Sequence, residues 1–246
     1  MTATPDVRAW RGVEMLAPLT GGVRSPVYRA RRRNEQLVIR VSGRSAESLA
    51  WELDLLDALS AVGMTVPRTI PTDDGRRHNG GVLIQRFIEG RRPVTASDWA
   101  RVVRAVEVVH EATPGWPQRP GFRSARELMN HESGGDVALG DMPADAVELV
   151  RASWAPVLDA ADCAIHGDVG EGNVLIIDDD VALIDWDEAR VDAPAFDYAH
   201  LPAEVVPGEY AALHRAGVAW ETATCWVTEP EYARRRLDEL RGLSRS

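Results

Sequence analysis

The order of apolar and polar positions divides the chain into a strand-rich beginning and a helix-rich remainder. Apolar residues alternate with polar ones in "VEMLAPL" (13–19), "VYRARRR" (27–33) and "QLVIRVS" (36–42), with breaks at "TGGVRSP" and "RRNEQ". That period of two predicts antiparallel strands joined by turns. The period then lengthens: Leu49, Leu53, Leu56 and Leu59 fall at helical spacing, behind a cap at Ser45 and ahead of Gly63. A turn-rich stretch leads to "VLIQRFI" (82–88), which reads as a buried strand, and "EGRRP" ends it.

Past that break the period is helical. "SDWARVVRAVEVVHEAT" places Trp99, Val102, Val103, Val106 and Val109 on one stripe behind a cap expected at Ser97. A loop-rich region follows, then a helix from Ala144 to about Asp159, then "NVLII", "DDD" and "VALIDW" in a hairpin pattern, with one or two helices beyond Val205. Strands first and helices after predict an α+β chain, with a small antiparallel-sheet lobe plus one helix at 1–90 and a larger, mainly helical lobe at 91–246.

Composition narrows the function. The chain has 246 residues, and all its basic side chains are arginine. Without lysine there is no Schiff base and no Walker-type phosphate loop. Residues 1–90 carry 13 arginines against 10 acids and residues 91–246 carry 15 against 28, so the two parts are +3 and −13 and the whole is −10. Such a balance opposes nucleic-acid binding, which needs a basic face to neutralise phosphates. The first thirty residues contain no secretion signal and no span of about 20 apolar residues, so the expected location is cytoplasmic, away from membranes. Cys163 and Cys225 lie in no C-x-x-C pair and are expected to be buried, inert thiols.

The chemistry concentrates in "HGDVGEGN" and "IDWD". Residues 166–197 hold ten acids and one arginine. Asp168 ends a loop, Asn173 opens the first hairpin strand and Asp185 ends the returning one, so the hairpin carries Asn173 and Asp185 toward its open end. Two oxygen donors suit Mg²⁺, which fills its octahedron with water and phosphate oxygens. A third carboxylate nearby, off the metal, can orient or deprotonate a hydroxyl. The "DDD" at 178–180 reads as a solvated turn, His110 as a satisfied core histidine, and Trp220 and Trp226 as helix packing or pocket lining.

Those motifs, at that spacing, resemble the catalytic loop and metal motif of the aminoglycoside phosphotransferase and choline kinase family, which has a two-lobed protein-kinase-like fold. "LTGGVRSPVYRA", "LVIRV", "WELDLLDAL", "VLIQRFIEG", "VVHEA" and "APAFDYAHL" fit the rest of that pattern, so the resemblance covers most of the chain. It implies ATP or GTP as phosphoryl donor, Mg²⁺ held by Asn173 and Asp185, and Asp168 as the base or hydroxyl-orienting residue. Gly21, Gly22 and Ser25 would cover the nucleotide, in a loop that lacks the full G-x-G-x-x-G and carries Pro26. Arg40 stands where protein kinases have lysine, and Glu52, by spacing alone a solvated helix residue, becomes its partner. The backbone of Arg86, Phe87 and Ile88 would meet the base, His166 would pack behind the metal aspartate, and Asp197 would accept hydrogen bonds from the catalytic loop.

The resemblance also implies a small hydroxyl compound as acceptor, since no A-P-E segment or long activation loop follows the metal motif. Glu171, Asp187, Glu188 and Asp192 would form an acidic field for a cationic acceptor such as an aminoglycoside; a neutral metabolite, sugar or macrolide is the alternative. The rival from another class is a nucleotide-binding module without turnover.

Overall fold

A computed structural model describes residues 4–19 and 26–244. The chain forms two compact units, residues 1–92 with 175–187, and residues 93–174 with 188–246.

The first unit opens with β1 (Val13–Pro18), β2 (Val27–Arg32) and β3 (Glu35–Val41), continues through α1 (Ala46–Ala61), and returns to the sheet as β4 (Val82–Arg86). The strands lie side by side in chain order, all antiparallel. Their alternation sorts the side chains. Leu37 and Ile39, opposite Ala30, Tyr28 and Ile84, share one face with Val82, and there they close a core with Trp10 and Ile70. Trp10 Nε1 donates to the Ile70 carbonyl at 2.8 Å. The same alternation puts Val38, Arg40, Leu83 and Gln85 on the other face. α1 starts at the expected cap, where Ser45 accepts from the Ser48 N–H, and Gly63, at φ +92°, turns the chain after it. Leu49, Leu53, Leu56 and Leu59 are all buried.

The second unit begins with α2 (Ala96–Ala112). Its cap is Thr95 rather than the expected Ser97. Thr95 accepts from the Asp98 N–H while the Asp98 carboxylate takes the N–H groups of Thr95 and Val94, both at 3.0 Å, so the reciprocal box fixes the start two residues earlier. The loop-rich region resolves into α3 (Ala125–Leu128) and a two-strand turn of β5 (Ser133–Gly134) and β6 (Val137–Ala138). α4 (Ala144–Trp154) stops short of Asp159, because Pro156 allows only a 3₁₀ turn at Ala155–Val157. β7 (Cys163–Ile165) leads into the loop at Asp168.

The chain next rejoins the first unit as a hairpin, β8 (Val174–Ile177) and β9 (Asp180–Leu183), with Asp178 at φ +48° in its turn. The "EGRR" break is where the hairpin meets the earlier chain: Arg91 and Ile176 exchange backbone hydrogen bonds, and a Cβ on Gly90 would come within 2.9 Å of the Leu175 Cβ. β10 (Arg190–Asp192) then pairs with β7 in the second unit, and α5 (Tyr210–Thr224) and α6 (Pro230–Leu243) complete it. Trp220 of α5 packs on Trp154 and Phe196, at 5.6 and 5.4 Å between ring centroids, so helix packing is its role. Trp226 donates to the Asp141 carbonyl. Among the described residues no helix is long and apolar enough to cross a membrane.

Candidate active site

In the second unit, the loop after β7 is held from behind by one carboxylate. Asp197 is fully buried and accepts from the N–H groups of His166 (3.0 Å) and Gly167 (2.7 Å) and from His110 Nε2 (3.0 Å). Burial works to raise its pKa, but the hydrogen bond and charge of His110, with His166 and the Gly167 amide, hold it below the usual carboxylate value. Asp197 is thereby kept ionised as a fixed acceptor, with His110 as its side-chain donor. Gly167 sits at φ +84°, and a Cβ there would approach the Glu188 carbonyl to 2.6 Å and Arg190 Nη1 to 2.7 Å. No other residue fits that position without moving the loop.

This clamp turns the Asp168 side chain out to solvent. The Asp168 N–H leans on His166 Nδ1 at 3.3 Å, and His166 itself is wholly buried. Asn173, closing the 3₁₀ turn Glu171–Asn173, donates its Nδ2 to Asp168 Oδ2 at 2.7 Å and to the Asp168 carbonyl at 3.0 Å. That orientation points the amide oxygen of Asn173 away from Asp168, as an oxygen ligand to a cation would require.

The first unit holds the second group. Arg40, from the sheet face opposite the core, meets Glu52 of α1 in a fork-to-fork pair, Nη1 to Oε1 at 2.5 Å and Nη2 to Oε2 at 2.9 Å. Glu52 is fully buried and not a solvated helix residue. Burial of Arg40 opposes its charge, yet Glu52, Asp187 and Asp185 together raise its pKa further above the usual guanidinium value. Asp185, two residues past β9, is exposed and held at φ +62°, a left-handed conformation that aspartate tolerates better than most residues. Trp186 anchors the turn beside it, fully buried with Nε1 on the Leu183 carbonyl.

The segment Arg86–Ile88 leaves β4 with the Arg86 N–H donated to Arg68 and the Phe87 N–H to Gln36. It lines an open cavity of about 350 Å³ with Ser60, Met64, Thr65 and Val66, a lining that includes neither Arg40 nor Glu52. Gly21, Gly22 and Ser25 lie outside the described residues.

Two of the four acids expected to face an acceptor are placed otherwise. Asp192 lies in the interior: its Oδ2 accepts from Arg190 Nε at 2.8 Å and its Oδ1 from the N–H groups of Ala125 and Ala193. Burial pushes its pKa up against the pull of Arg190. Asp187 is engaged by Arg40 and Arg44. Glu171 is exposed and Glu188 half-buried. Arg44 escaped the sequence reading; its one signal was its place directly before the Ser45 cap.

Among the described residues no three His, Cys, Asp or Glu side chains converge to hold a metal. Asn173 in the second unit offers an amide oxygen and Asp185 in the first an exposed carboxylate, each a hard donor of the kind magnesium takes.

A sequence profile of the phosphotransferase enzyme family matches residues 16–237. The chain belongs to the phosphotransferase enzyme family. Among solved structures, this phosphotransferase resembles a microcompartment-associated aminopropanol kinase at TM-score 0.64 and 17% identity, over 96% of this chain and 92% of that one. It also resembles a thermostable mutant aminoglycoside phosphotransferase solved with ADP and hygromycin B, at 0.61 and 14%, over 94% and 93%. A choline/ethanolamine kinase family protein from Mesorhizobium loti matches at 0.58 and 18%, over 99% and 92%. At these identities the likeness shows the fold, which is kinase-like. No curated protein sequence matches the chain.

Proposed function

We propose that this phosphotransferase moves the γ-phosphoryl group of ATP, or GTP, to a hydroxyl of a small molecule, in the cytoplasm. The observation that carries this reading is the Asp168–Asn173 hydrogen bond at 2.7 Å, on a loop fixed by the buried Asp197. Asn173 occupies Asp168 Oδ2, so Oδ1 accepts the acceptor's hydroxyl hydrogen and orients its oxygen at phosphorus. The new O–P bond forms as the bond to the β-phosphate oxygen breaks, and the hydroxyl proton passes to Asp168. Asn173 Oδ1 and the Asp185 carboxylate would hold Mg²⁺, which when bound draws charge off the phosphate oxygens.

Arg40 binds phosphate from a position that Glu52 makes rigid. Since the N–H groups of Arg86 and Phe87 are committed, base recognition by this segment falls to its carbonyl oxygens and to the Ile88 N–H. In this reading residues 1–90 serve the nucleotide and residues 91–246 the acceptor and the chemistry.

A small acceptor agrees with the absence of an A-P-E segment and with the substrates named for the similar structures, among them aminopropanol and hygromycin B. An amine-bearing alcohol, aminoglycosides included, suits the acidic second part of the chain. The internal pairing of Asp187 and Asp192 favours the second reading, a neutral sugar, macrolide or metabolite. The test is a mass-spectrometric screen for phosphate adducts on hydroxyl compounds of both kinds, with ATP or GTP and Mg²⁺. An adduct identifies the acceptor. Nucleotide binding with no adduct and no hydrolysis would make the chain a binding module instead.

A further inference from the structure

Arg40 has spent its best donor geometry. Both terminal nitrogens are aligned on Glu52, and Arg40 Nε is buried with no hydrogen-bond partner among the described residues. The outer hydrogen of Nη2 goes to Asp187 Oδ1 at 3.2 Å. A lysine would offer three donors that rotate toward a phosphate; an arginine pinned in this way offers one edge. The other oxygen of the same aspartate is taken by Arg44 Nη2 at 2.8 Å, and the Asp187 carbonyl lies 3.3 Å from that nitrogen. One carboxylate therefore bridges two guanidinium groups. The Arg40 side chain is 5% exposed, those of Arg44 and Asp187 14% each.

We propose that Arg40 and Arg44 form a two-arginine phosphate site, and that Asp187 is its resident counter-ion, displaced when a donor phosphate enters. Two nitrogens from two arginines already converge on two oxygens of one carboxylate, and a phosphate presents the same pattern with more charge. Arg44 thus supplies what the immobilised Arg40 does not. The displaced Asp187 has a way out, since its side chain is the partly solvated member against Arg40. The inference rests on the nucleotide-binding reading above and deepens it by naming Arg44 as a second phosphate ligand.

The test is calorimetry on the full chain in EDTA, with tripolyphosphate, ADP and adenosine as probes, so that metal ligation plays no part. Arg44→Ala should weaken tripolyphosphate and ADP about tenfold or more, the scale of a lost charge-assisted hydrogen bond, and leave adenosine unchanged. Arg44→Lys should recover part of the loss. Asp187→Asn should bind tripolyphosphate several-fold more tightly, roughly the gain from removing an internal competitor that held the same donors. A gain in affinity cannot come from misfolding, so this variant keeps the test sound if Arg44→Ala is unstable. Wild-type affinity in Arg44→Ala, or an Asp187→Asn variant weakened as much as Arg44→Ala, overturns the inference, the latter because it makes Asp187 a scaffold for the arginines. A wild-type chain that binds neither ADP nor tripolyphosphate sinks the nucleotide reading itself and this inference with it.

Discussion

Asp168 and Asp185 carry the same carboxylate, and the proposed function gives them different work. Asp168 is tied to Asn173 and turned to solvent, whereas Asp185 sits in a left-handed turn among the charges acting on Arg40. Asp168→Asn should therefore lower transfer by roughly 10²-fold or more, the usual weight of a general base, with nucleotide affinity unchanged. Asp185→Ala should lose magnesium-dependent nucleotide binding, and calorimetry with and without Mg²⁺ separates the two. If Asp168→Asn lost ATP binding while Asp185→Ala kept it, the roles are reversed. For Arg40 and Glu52, a double-mutant cycle on transfer rate should show coupling of about 0.5–3 kcal/mol, the range for residues in contact. Strictly additive losses would mean the pair does not act as one unit. Arg40→Lys should keep part of the activity, because a point charge still reaches phosphate after the fork is lost. The settings of Asp168 and Asn173, a loop and the entry to a hairpin, were legible in the sequence because they are local, whereas the burial of Glu52 was not, since helical spacing alone reads it as solvated. Sequence misjudged the surroundings of Asp187, whose cations Arg40 and Arg44 lie far off in the chain, and of Asp192, because a three-residue strand gives no sign that Asp192 and its neighbour Arg190 are buried together.

Elements announced themselves in proportion to their length. β1 to β4, α1 and α2 run long enough for a period to repeat, and their alternation or stripe was legible. β5, β6, β7 and β10 are two or three residues each, too short for any period, and β7 finds β10 across 24 intervening positions in the chain. The cap of α2 was misjudged because Ser97 and Thr95 are both good capping residues, and only the reach of Asp98 decides between them. Thr95→Ala should then cost about 1 kcal/mol, typical of a lost cap, while Ser97→Ala should leave denaturant midpoints unchanged. The reverse order would place the cap where the sequence suggested. On β7, burial first, and then the nearby acids led by Asp197, push the Cys163 thiol up to about 12. Its thiolate fraction near pH 8 is negligible, so iodoacetamide should leave Cys163 unmodified in the folded chain and alkylate it in denaturant. Rapid labelling of the native protein, mapped to Cys163 by peptide mass, would contradict the burial of β7.

Across the whole molecule, the charge is lopsided, +3 before residue 91 and −13 after it. The sequence stretch that looked most in need of cations is partly supplied by the protein: Arg190 holds Asp192, and Arg40 with Arg44 holds Asp187. Of the other two acids in the proposed field, both in the second unit, Glu171 is exposed and opens the turn that ends at Asn173, and Glu188 is half-buried with its carbonyl against Gly167. A field from these two side chains is screened over about 8 Å at physiological ionic strength. If the acceptor is an amine-bearing alcohol, its KM should rise as salt is raised, and Glu171→Gln or Glu188→Gln should flatten that rise. Asp192→Asn should not flatten it, because its charge is already neutralised inside the fold; its effect should appear as lost stability. Initial-rate measurements from low to high salt, with ATP saturating, decide the matter. A best acceptor without any amine, or a KM indifferent to salt, would remove the cationic acceptor and leave a phosphotransferase for neutral hydroxyl compounds, in which Glu171 and Glu188 only keep the surface soluble.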